Sequence, residues 1–263
     1  MEMITKENAC VLAPLFDGWN ETMIWSYLHG CMGNGWADQT SDPESARIIT
    51  GDFCFLAGKP DAEFVKHIPS DFPSPQILMV PRDNGWSRLI ERCYPYSYRK
   101  FLRYALKKEP DAFDTDKLAG YVATLTKGYR IHPIDEAYFH AVRKEEWSKD
   151  LCSQFSSYEQ YRDHGMGYLV LHGDKIVSGV SSYTYYDGGI EIEIDTRKPY
   201  RKKGLALACA AHMILECLKR GLYPSWDAAN KESLHLAEKL GYHLDSAYVT
   251  YGINLSLSSA SDQ

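Results

Sequence analysis

Apolar and polar positions alternate most regularly in the second half of the chain. The segment "GGIEIEIDT" puts its isoleucines on one face and its acidic residues on the other, which predicts a strand with one buried face. Before it, "GYLVLHGDKIVSGVSSYTYY" predicts two strands joined by a turn at residues 172–175. After it, an apolar run predicts a buried helix from about Lys203 to Arg220. Helices in "DEAYFHAVRKEEW" and "KESLHLAEKLGY" and a final strand in "AYVTYGINL" complete this half.

The first half of the chain has a mixed pattern. A short helix or turn is expected in "ESARIIT", followed by a strand at residues 52–57. Asp61 can cap a helix in "DAEFVKHI", "QILMV" is typical of a buried strand, and "GWSRLIERCY" looks helical. No repeat of fixed period is visible. The alternation predicts an α/β (α+β) fold, with domains at residues 1–125 and 126–255 and a tail at 256–263.

The loop "RKPYRKKG" lies between a predicted strand and the apolar helix, and it favours an anion site. A helix start offers unpaired backbone N–H groups to an anion, and a glycine lets the anion approach the backbone. Gly204 would supply that approach, and Arg201, Lys202 and Lys203 would add positive charge. A solvated charged turn is the alternative that the spacing alone leaves open. The Walker and dinucleotide-binding glycine patterns are absent.

Composition and charge narrow the classes of function. Lys and Arg number 29 against 35 Asp and Glu, which gives a net charge of −6 and disfavours nucleic-acid binding through the basic loop or through "YSYRKFLRYALKK". No apolar run is long enough for a membrane span, and the N-terminus lacks a secretory pattern. Seven scattered cysteines predict reduced thiols, no metal site and a cytoplasmic location.

Two motifs in this half resemble those of the GNAT acyltransferase superfamily. The first is the family pattern [QR]-x-x-G-x-[GA], which here reads Arg201-Lys202-Lys203-Gly204-Leu205-Ala206. The second is "NKESLHLAEKLGY", in which the matching residues are Asn230, Ser233, Leu236, Lys239, Gly241 and Tyr242. The two motifs place the resemblance over residues 127–255. The whole chain is also similar to a two-part bacterial group of these enzymes.

The resemblance implies a fold and a cofactor site. The fold would be a mixed, mostly antiparallel sheet flanked by helices, preceded by an N-terminal α/β domain that walls the acceptor pocket. The co-substrate would be acetyl-CoA, with its pantetheine arm along Ile194, Asp195 and Thr196. Its pyrophosphate would be held by Lys202, Lys203, Gly204, Leu205 and Ala206 with the charge of Arg201, and its thioester region would contact Asn230 and Ser233.

The catalytic residues are less defined than the cofactor loop. Glu193 is the first candidate for the general base, with Glu191 and Asp195 behind it, because these carboxylates precede the cofactor loop. A polar sheet face or ion pairs with nearby Arg and Lys would explain the same residues. The family's usual acid, a tyrosine seven residues after the asparagine, is replaced by Ala237. Tyr242 is a candidate substitute, as are Tyr248, Ser233 and water.

The expected function is transfer of an acetyl group from acetyl-CoA to a primary amine, within a ternary complex. The acceptor is expected to be a small molecule, but antibiotic, polyamine, amino sugar, amino acid and protein lysine all stay open. A non-catalytic module that binds acyl-CoA is the alternative, which the absent tyrosine favours slightly. The oligomeric state also stays open, with a homodimer among the options.

Overall fold

The chain separates into two compact units. The computed structural model describes residues 1–255, so the predicted tail at 256–263 lies outside the described residues. Among the described residues, the first unit contains residues 1–103 and 247–255, and the second contains residues 104–246. The predicted boundary after residue 125 therefore falls inside the second unit.

Helices and strands follow one another through both units with short connections. The helices are α1 (Ala13–Phe16), α2 (Thr22–Leu28), α3 (Ala62–Lys66), α4 (Asn84–Cys93), α5 (Thr115–Ala123), α6 (Glu136–Val142), α7 (Tyr158–His164), α8 (Leu205–Lys219) and α9 (Lys231–Leu240). The strands are β1 (Glu2–Ile4), β2 (Asn34–Ala37), β3 (Ser45–Thr50), β4 (Phe53–Gly58), β5 (Gln76–Pro81), β6 (Tyr98–Leu106), β7 (Tyr129–Pro133), β8 (Gly167–His172), β9 (Lys175–Tyr186), β10 (Gly189–Thr196), β11 (Tyr223–Ser225), β12 (Asp227–Ala228) and β13 (Leu244–Asn254).

The first unit is built on a mixed sheet. Strands β1 to β4 pair antiparallel in chain order, and β5 then joins parallel to β4. A parallel neighbour needs a crossover, and the chain supplies α3 there. The last part of β13 pairs antiparallel with the other edge of β5. Trp86 and Ile90 of α4 and Phe64 of α3 are buried against this sheet.

The second unit has a five-stranded sheet with helices on both faces. Its strand order is β11-β10-β9-β8-β7, with β10 and β11 parallel and the other pairs antiparallel. One hydrophobic core joins this sheet to α8 and α9, and a second joins it to α6 and α7. Val170 belongs to the first core and Leu169 to the second, as alternation along β8 requires.

The two units share one order of elements. In each, a strand is followed by helices, three antiparallel strands, a helix, a parallel strand, a helix and a final strand, and the second unit adds the two-residue strand β12 before its last helix. The final strands are β6 and β13. Residues of β13 from Ala247 onward nevertheless belong to the first unit, where Tyr251 pairs with Met79. The end of β6 belongs to the second unit, where Ala105 pairs with Asp227 of β12.

Most of the predicted elements are confirmed. The buried helix is α8, the turn at residues 172–175 joins β8 to β9, and "GGIEIEIDT" forms β10. Asp61 caps α3 by accepting a hydrogen bond from the Glu63 N–H at 2.8 Å. The mixed fold with a helix-flanked, mostly antiparallel sheet is also confirmed.

Two local predictions differ from the structure. The expectation of a helix or turn in "ESARIIT" is wrong, because Ser45–Thr50 forms β3 and pairs along its whole length with β4. Its β-branched residues fit a pleated strand, and Gly51 turns the chain at a φ of 63°. The helix predicted in "DEAYFHAVRKEEW" ends at Val142, so the charged second half of that segment is not part of α6.

Candidate active site

Strands β10 and β11 pair over a short distance and then end their ladder. The parallel register joins Gly189–Glu191 to Tyr223–Ser225, whereas β9 pairs with β10 as far as Thr196. Residues 192–196 of β10 therefore continue past the end of the ladder with β11. Each residue adds about 3.3 Å to the length of this stretch. This stretch of strand edge includes Ile194, Asp195 and Thr196, the residues predicted to lie along the pantetheine arm.

A β-bulge lies where the ladder with β11 ends. The register between β9 and β10 shifts between Glu191 and Ile192, so Tyr183 is the extra residue on β9. Bulges bend a strand and change the direction in which its side chains point, and they are common beside active sites. The isoleucines of β10 still face the core that contains α8, as predicted.

The turn before α8 has the backbone of an anion site. Gly204 occupies the N-cap position with a φ of 75°, and no side chain caps the helix there. Lys202 also has a positive φ, 61°, which is uncommon for a residue with a side chain. A Cβ on Gly204 would have no atom within 4 Å, so the space in front of the helix start is open. Backbone N–H groups at this start can bind a phosphate oxygen.

The corresponding turn of the first unit has the opposite character. There the helix between the two parallel strands is α3, and the Asp61 carboxylate already occupies its N-cap position. Glu63 adds a second carboxylate in the first turn. Two negative charges at a helix start exclude an anion by charge repulsion. Of the two turns, only the one at Gly204 fits a pyrophosphate.

Arg201 supports the turn with part of its guanidinium group, so not all of its N–H donors are available to an anion. Its Nε donates to the Thr196 carbonyl oxygen at 2.9 Å, and its Nη2 lies 3.3 Å from Asp195 Oδ1. That same Asp195 oxygen accepts the Thr196 N–H at 2.6 Å. The predicted cofactor residues Arg201, Asp195 and Thr196 are thus brought together as a brace for the loop. Lys202 and Lys203 are the exposed cations beside Gly204.

Arg197 joins the start of the basic loop to a neighbouring segment. Its guanidinium pairs with the Glu145 carboxylate and lies 5.1 Å from the centroid of the Trp147 ring. Its Nε also donates to the Ile176 carbonyl oxygen at 3.3 Å. The loop is therefore held at both ends, by Arg197 and by Arg201, which keeps the helix start in a fixed position.

Asn230 and Ser233 form the N-terminal cap of α9. The Asn230 side-chain oxygen accepts the Ser233 backbone N–H at 2.9 Å, as asparagine does at this helix position. This cap uses the oxygen of the amide, and the amide NH₂ group is the part of Asn230 that can donate to a cofactor. Their predicted role in cofactor binding stays a prediction.

The three carboxylates of β10 have different surroundings. Glu191 is 3% exposed, and its Oε1 accepts the Asp227 backbone N–H at 2.6 Å. Glu193 is half-buried and lies opposite Ser181 of β9. Asp195 is half-buried and braces the loop. Glu191 is the carboxylate at the end of the ladder with β11, beyond the stretch predicted to hold the pantetheine arm.

Tyr242 has the environment of a structural residue. It is 3% exposed, its hydroxyl donates to the Pro224 carbonyl oxygen at 2.5 Å, and its ring meets Trp226 edge-to-face at 5.7 Å. Burial raises the pKa of the Tyr242 hydroxyl well above its ordinary value. Ala237, at the position of the usual family tyrosine, is fully buried in the core with α8.

Replacing Tyr242 by phenylalanine tests the structural interpretation. Tyr242→Phe leaves the buried Pro224 carbonyl without its donor, so we expect the free energy of unfolding to fall by about 1–3 kcal/mol. Chemical denaturation measures this loss. We expect kcat to stay within about threefold of wild type, because the pKa of this buried hydroxyl is far above neutral pH. A loss of kcat by orders of magnitude with normal stability would restore Tyr242 as the acid.

Membrane spans and metal clusters are both absent from the described chain. No helix within residues 1–255 has the length and apolar character needed to cross a membrane. Over the same residues, no group of three or more His, Cys, Asp or Glu side chains is arranged to hold a metal ion.

Comparison with known proteins identifies the family. The sequence profile described as "GNAT acetyltransferase" matches residues 13–251. The chain belongs to the GNAT acetyltransferase family. A curated relative, the "Uncharacterized N-acetyltransferase YdfB" of Bacillus subtilis, is 28% identical over 269 residues, which cover 95% of this chain and 98% of the relative.

Solved structures agree with this family. A GCN5-related N-acetyltransferase-like protein from Streptococcus suis matches with a TM-score of 0.89 and 44% identity, over 95% of this chain and all of that one. A tandem GNAT protein from the clavulanic acid biosynthesis pathway matches with a TM-score of 0.57 and 10% identity, over 97% of this chain and 98% of that one. The second likeness concerns the fold alone.

Family membership confirms the predicted enzyme class. The protein is an N-acetyltransferase-family acyltransferase, and enzymes of this family use acetyl-CoA. The uncapped helix start at Gly204 and the exposed Lys202 and Lys203 fit the pyrophosphate of that co-substrate. The base roles predicted for Glu193, Glu191 and Asp195 stay predictions.

Proposed function

We propose that the second unit transfers the acetyl group of acetyl-CoA directly to a primary amine of a small molecule, with Glu191 as general base. One observation supports this most. A carboxylate that is 3% exposed stands at the end of the β10–β11 ladder, on the same strand that leads to the uncapped start of α8. A cofactor along the strand from Gly204 toward the bulge would have its reactive end beside Glu191.

The residues of the cofactor site would bind different parts of acetyl-CoA, according to their position along β10 and the loop that follows it. The backbone N–H groups at the start of α8, with Lys202 and Lys203, would bind the pyrophosphate. The edge of Ile194–Thr196 would pair with the pantetheine arm, and the Asn230 amide would contact the thioester region. Asp195 and Arg201 would keep this path in register by bracing the loop.

The chemical step is an aminolysis of a thioester. The amine nitrogen forms a bond to the thioester carbonyl carbon, the carbon–sulfur bond breaks, and coenzyme A leaves as a thiolate. Glu191 takes the proton that the nitrogen loses. Ala237 carries no proton to give, so the thiolate takes its proton from water. The products are the acetylated amine and coenzyme A, and Glu191 returns its proton to water.

The second candidate is a module that binds acyl-CoA without turnover. The observation that favours it is Ala237, because its buried methyl group stands where the family's usual acid would be. Under this alternative the cofactor loop keeps its role, but Glu191 has no role in chemistry. The two candidates therefore agree on acetyl-CoA binding and differ on product formation.

Two measurements test the proposal in sequence. First, acetyl-CoA at about 100 times its dissociation constant is expected to stabilise the protein by about 2.7 kcal/mol, which a thermal-shift titration detects. No shift at millimolar acetyl-CoA would contradict both candidates. Second, thiol release is measured with a panel of small amines, amino sugars and a lysine peptide. Binding without thiol release for any acceptor would favour the non-catalytic module.

A further inference from the structure

Three neighbouring strands carry a row of buried polar side chains at the end of the β10–β11 ladder. Thr184 of β9 is the direct register partner of Glu191, and Ser225 of β11 is its partner on the other side. Register partners have their side chains on the same face of a sheet. Thr184 and Ser225 are both fully buried, and Glu191 is 3% exposed. The carboxylate therefore stands between two hydroxyl groups and is largely shielded from solvent.

Thr184 differs from the other members of this row in its hydrogen bonding. Glu191 Oε1 accepts the Asp227 N–H, and Ser225 Oγ accepts a hydrogen bond from Lys108 Nζ at 2.8 Å. Across the described residues 1–255, the Thr184 hydroxyl oxygen has no hydrogen-bond partner. A buried hydroxyl without a partner is rare in native proteins and calls for an explanation, often a functional one.

The chemistry of a buried base supplies that explanation. A carboxylate only accepts hydrogen bonds, but once it has taken a proton it carries an O–H donor. On a carboxyl group that is so little exposed to solvent, this new donor needs an acceptor on the protein, or the protonated form is penalised. Directly opposed residues of antiparallel strands have Cβ atoms about 4.5–5.5 Å apart, so the hydroxyl of Thr184 can reach the Glu191 carboxyl.

We propose that Thr184 is a positioning residue for the general base, and that its hydroxyl oxygen accepts a hydrogen bond from Glu191 when Glu191 holds the proton of the acceptor amine. This inference rests on the proposed function, since it gives Glu191 the role of base. The proton moves from the amine nitrogen to Glu191 and stays on the carboxyl. Thr184 keeps its own proton throughout. Deprotonation of Glu191 to water after product release restores the starting state.

Other titratable groups near Glu191 set the background for a pH test. They include Tyr223 and Tyr242 from neighbouring elements, Lys108 beside Ser225, Asp227 and the strand neighbour Glu193. Burial raises the pKa of Tyr223 to about 12 and raises that of Tyr242 well above its usual range, so both stay neutral near pH 7. None of these groups is changed by a substitution at position 184.

The test replaces the hydroxyl by a methyl group of the same shape. In Thr184→Val, the protonated form of Glu191 loses its acceptor, so we expect the pKa of the Glu191 carboxyl to fall by about one unit. Carbon-13 NMR titration of side-chain-labelled glutamate reports this directly, with Glu191→Gln assigning the signal. The acidic limb of the pH profile of kcat/KM should move down by the same amount, and kcat should fall about tenfold. Thr184→Ser keeps the hydroxyl and should restore both values.

The chain provides a matched control. Thr250 of β13, in the first unit, is also fully buried with an unpartnered hydroxyl among residues 1–255. Thr250→Val should leave the Glu191 titration and the pH profile unchanged. If Thr184→Val fails to fold, Thr184→Ala provides the same readout.

The outcomes separate the inference from the proposed function. An unchanged or raised pKa of Glu191 in Thr184→Val would overturn the inference, and a raised value would mean that Thr184 donates to the carboxylate instead. If no amine is acetylated, the proposed function fails, while the NMR titration still decides whether Thr184 holds the protonated carboxyl.

Discussion

Replacing Glu191 by glutamine is expected to lower kcat about 1,000-fold, because a positioned general base contributes roughly 10²–10⁴-fold to proton-transfer reactions. Glutamine keeps the size of the side chain and a carbonyl oxygen that can accept the Asp227 N–H, so the fold should be preserved. It cannot take a proton from the amine. Steady-state thiol release measures kcat, and isothermal titration calorimetry with acetyl-CoA should give a dissociation constant within about twofold of wild type.

Glu193→Gln is the matched comparison for this result. Glu193 is two residues further along β10 and is half-buried, so the same chemical change is made at a site beside the cofactor path. We expect a loss of kcat of less than about tenfold there. If Glu193→Gln lowers kcat more than Glu191→Gln does, the general base is Glu193, as the sequence alone indicates. The role proposed for Glu191 at the end of the β10–β11 ladder would then be wrong.

Replacing Gly204 by aspartate is expected to weaken acetyl-CoA binding roughly 100-fold, which corresponds to about 2.7 kcal/mol. The substitution puts a carboxylate at the N-cap position of α8, and thus gives it the charge that Asp61 gives to α3. The pyrophosphate would then meet a negative charge where it needs N–H donors. Calorimetric titration with acetyl-CoA and the KM for acetyl-CoA both measure the change.

Asparagine provides the neutral control at the same position. Both aspartate and asparagine tolerate the positive φ of 75° better than other side chains, so Gly204→Asn has similar backbone cost without the charge. We expect less than a tenfold loss of affinity in Gly204→Asn, and none in Asp61→Asn. Equal losses for aspartate and asparagine would mean that space, and not charge, limits the turn at Gly204.

The second unit could be predicted well because its local signals agree with its tertiary structure. The alternation in β10, the turn between β8 and β9 and the apolar run of α8 each match the element that forms. The basic loop ending in Gly204 indicates an anion site from its residues alone, since that inference needs only a helix start and a glycine. The two motifs that resemble the GNAT family, at residues 201–206 and 230–242, also lie in this unit and predict the family to which the chain belongs.

Other features depend on pairing between distant residues and have no local signal. The bulge at Tyr183 changes the register by one residue, and strict alternation along β10 hides it. The charge of Arg201 does not by itself reveal whether its guanidinium braces the loop or contacts a phosphate. The structure shows it bracing the loop through Thr196 and Asp195. In the first unit, the β-branched residues of β3 carry only a weak strand signal, because the strand's identity depends on its pairing with β4.

The pairing of β5 with a strand from far along the chain has a consequence for folding during synthesis. The edge of β5 in the first unit is completed by β13, whose Tyr251 pairs with Met79 far earlier in the sequence. Contacts of such long sequence separation form slowly, and a nascent chain cannot form them until residues 251–254 have left the ribosome. Until then β5 presents an open edge, which is a site for aggregation or for capture by a chaperone. The sheet of the first unit is therefore completed only after the second unit has been synthesised.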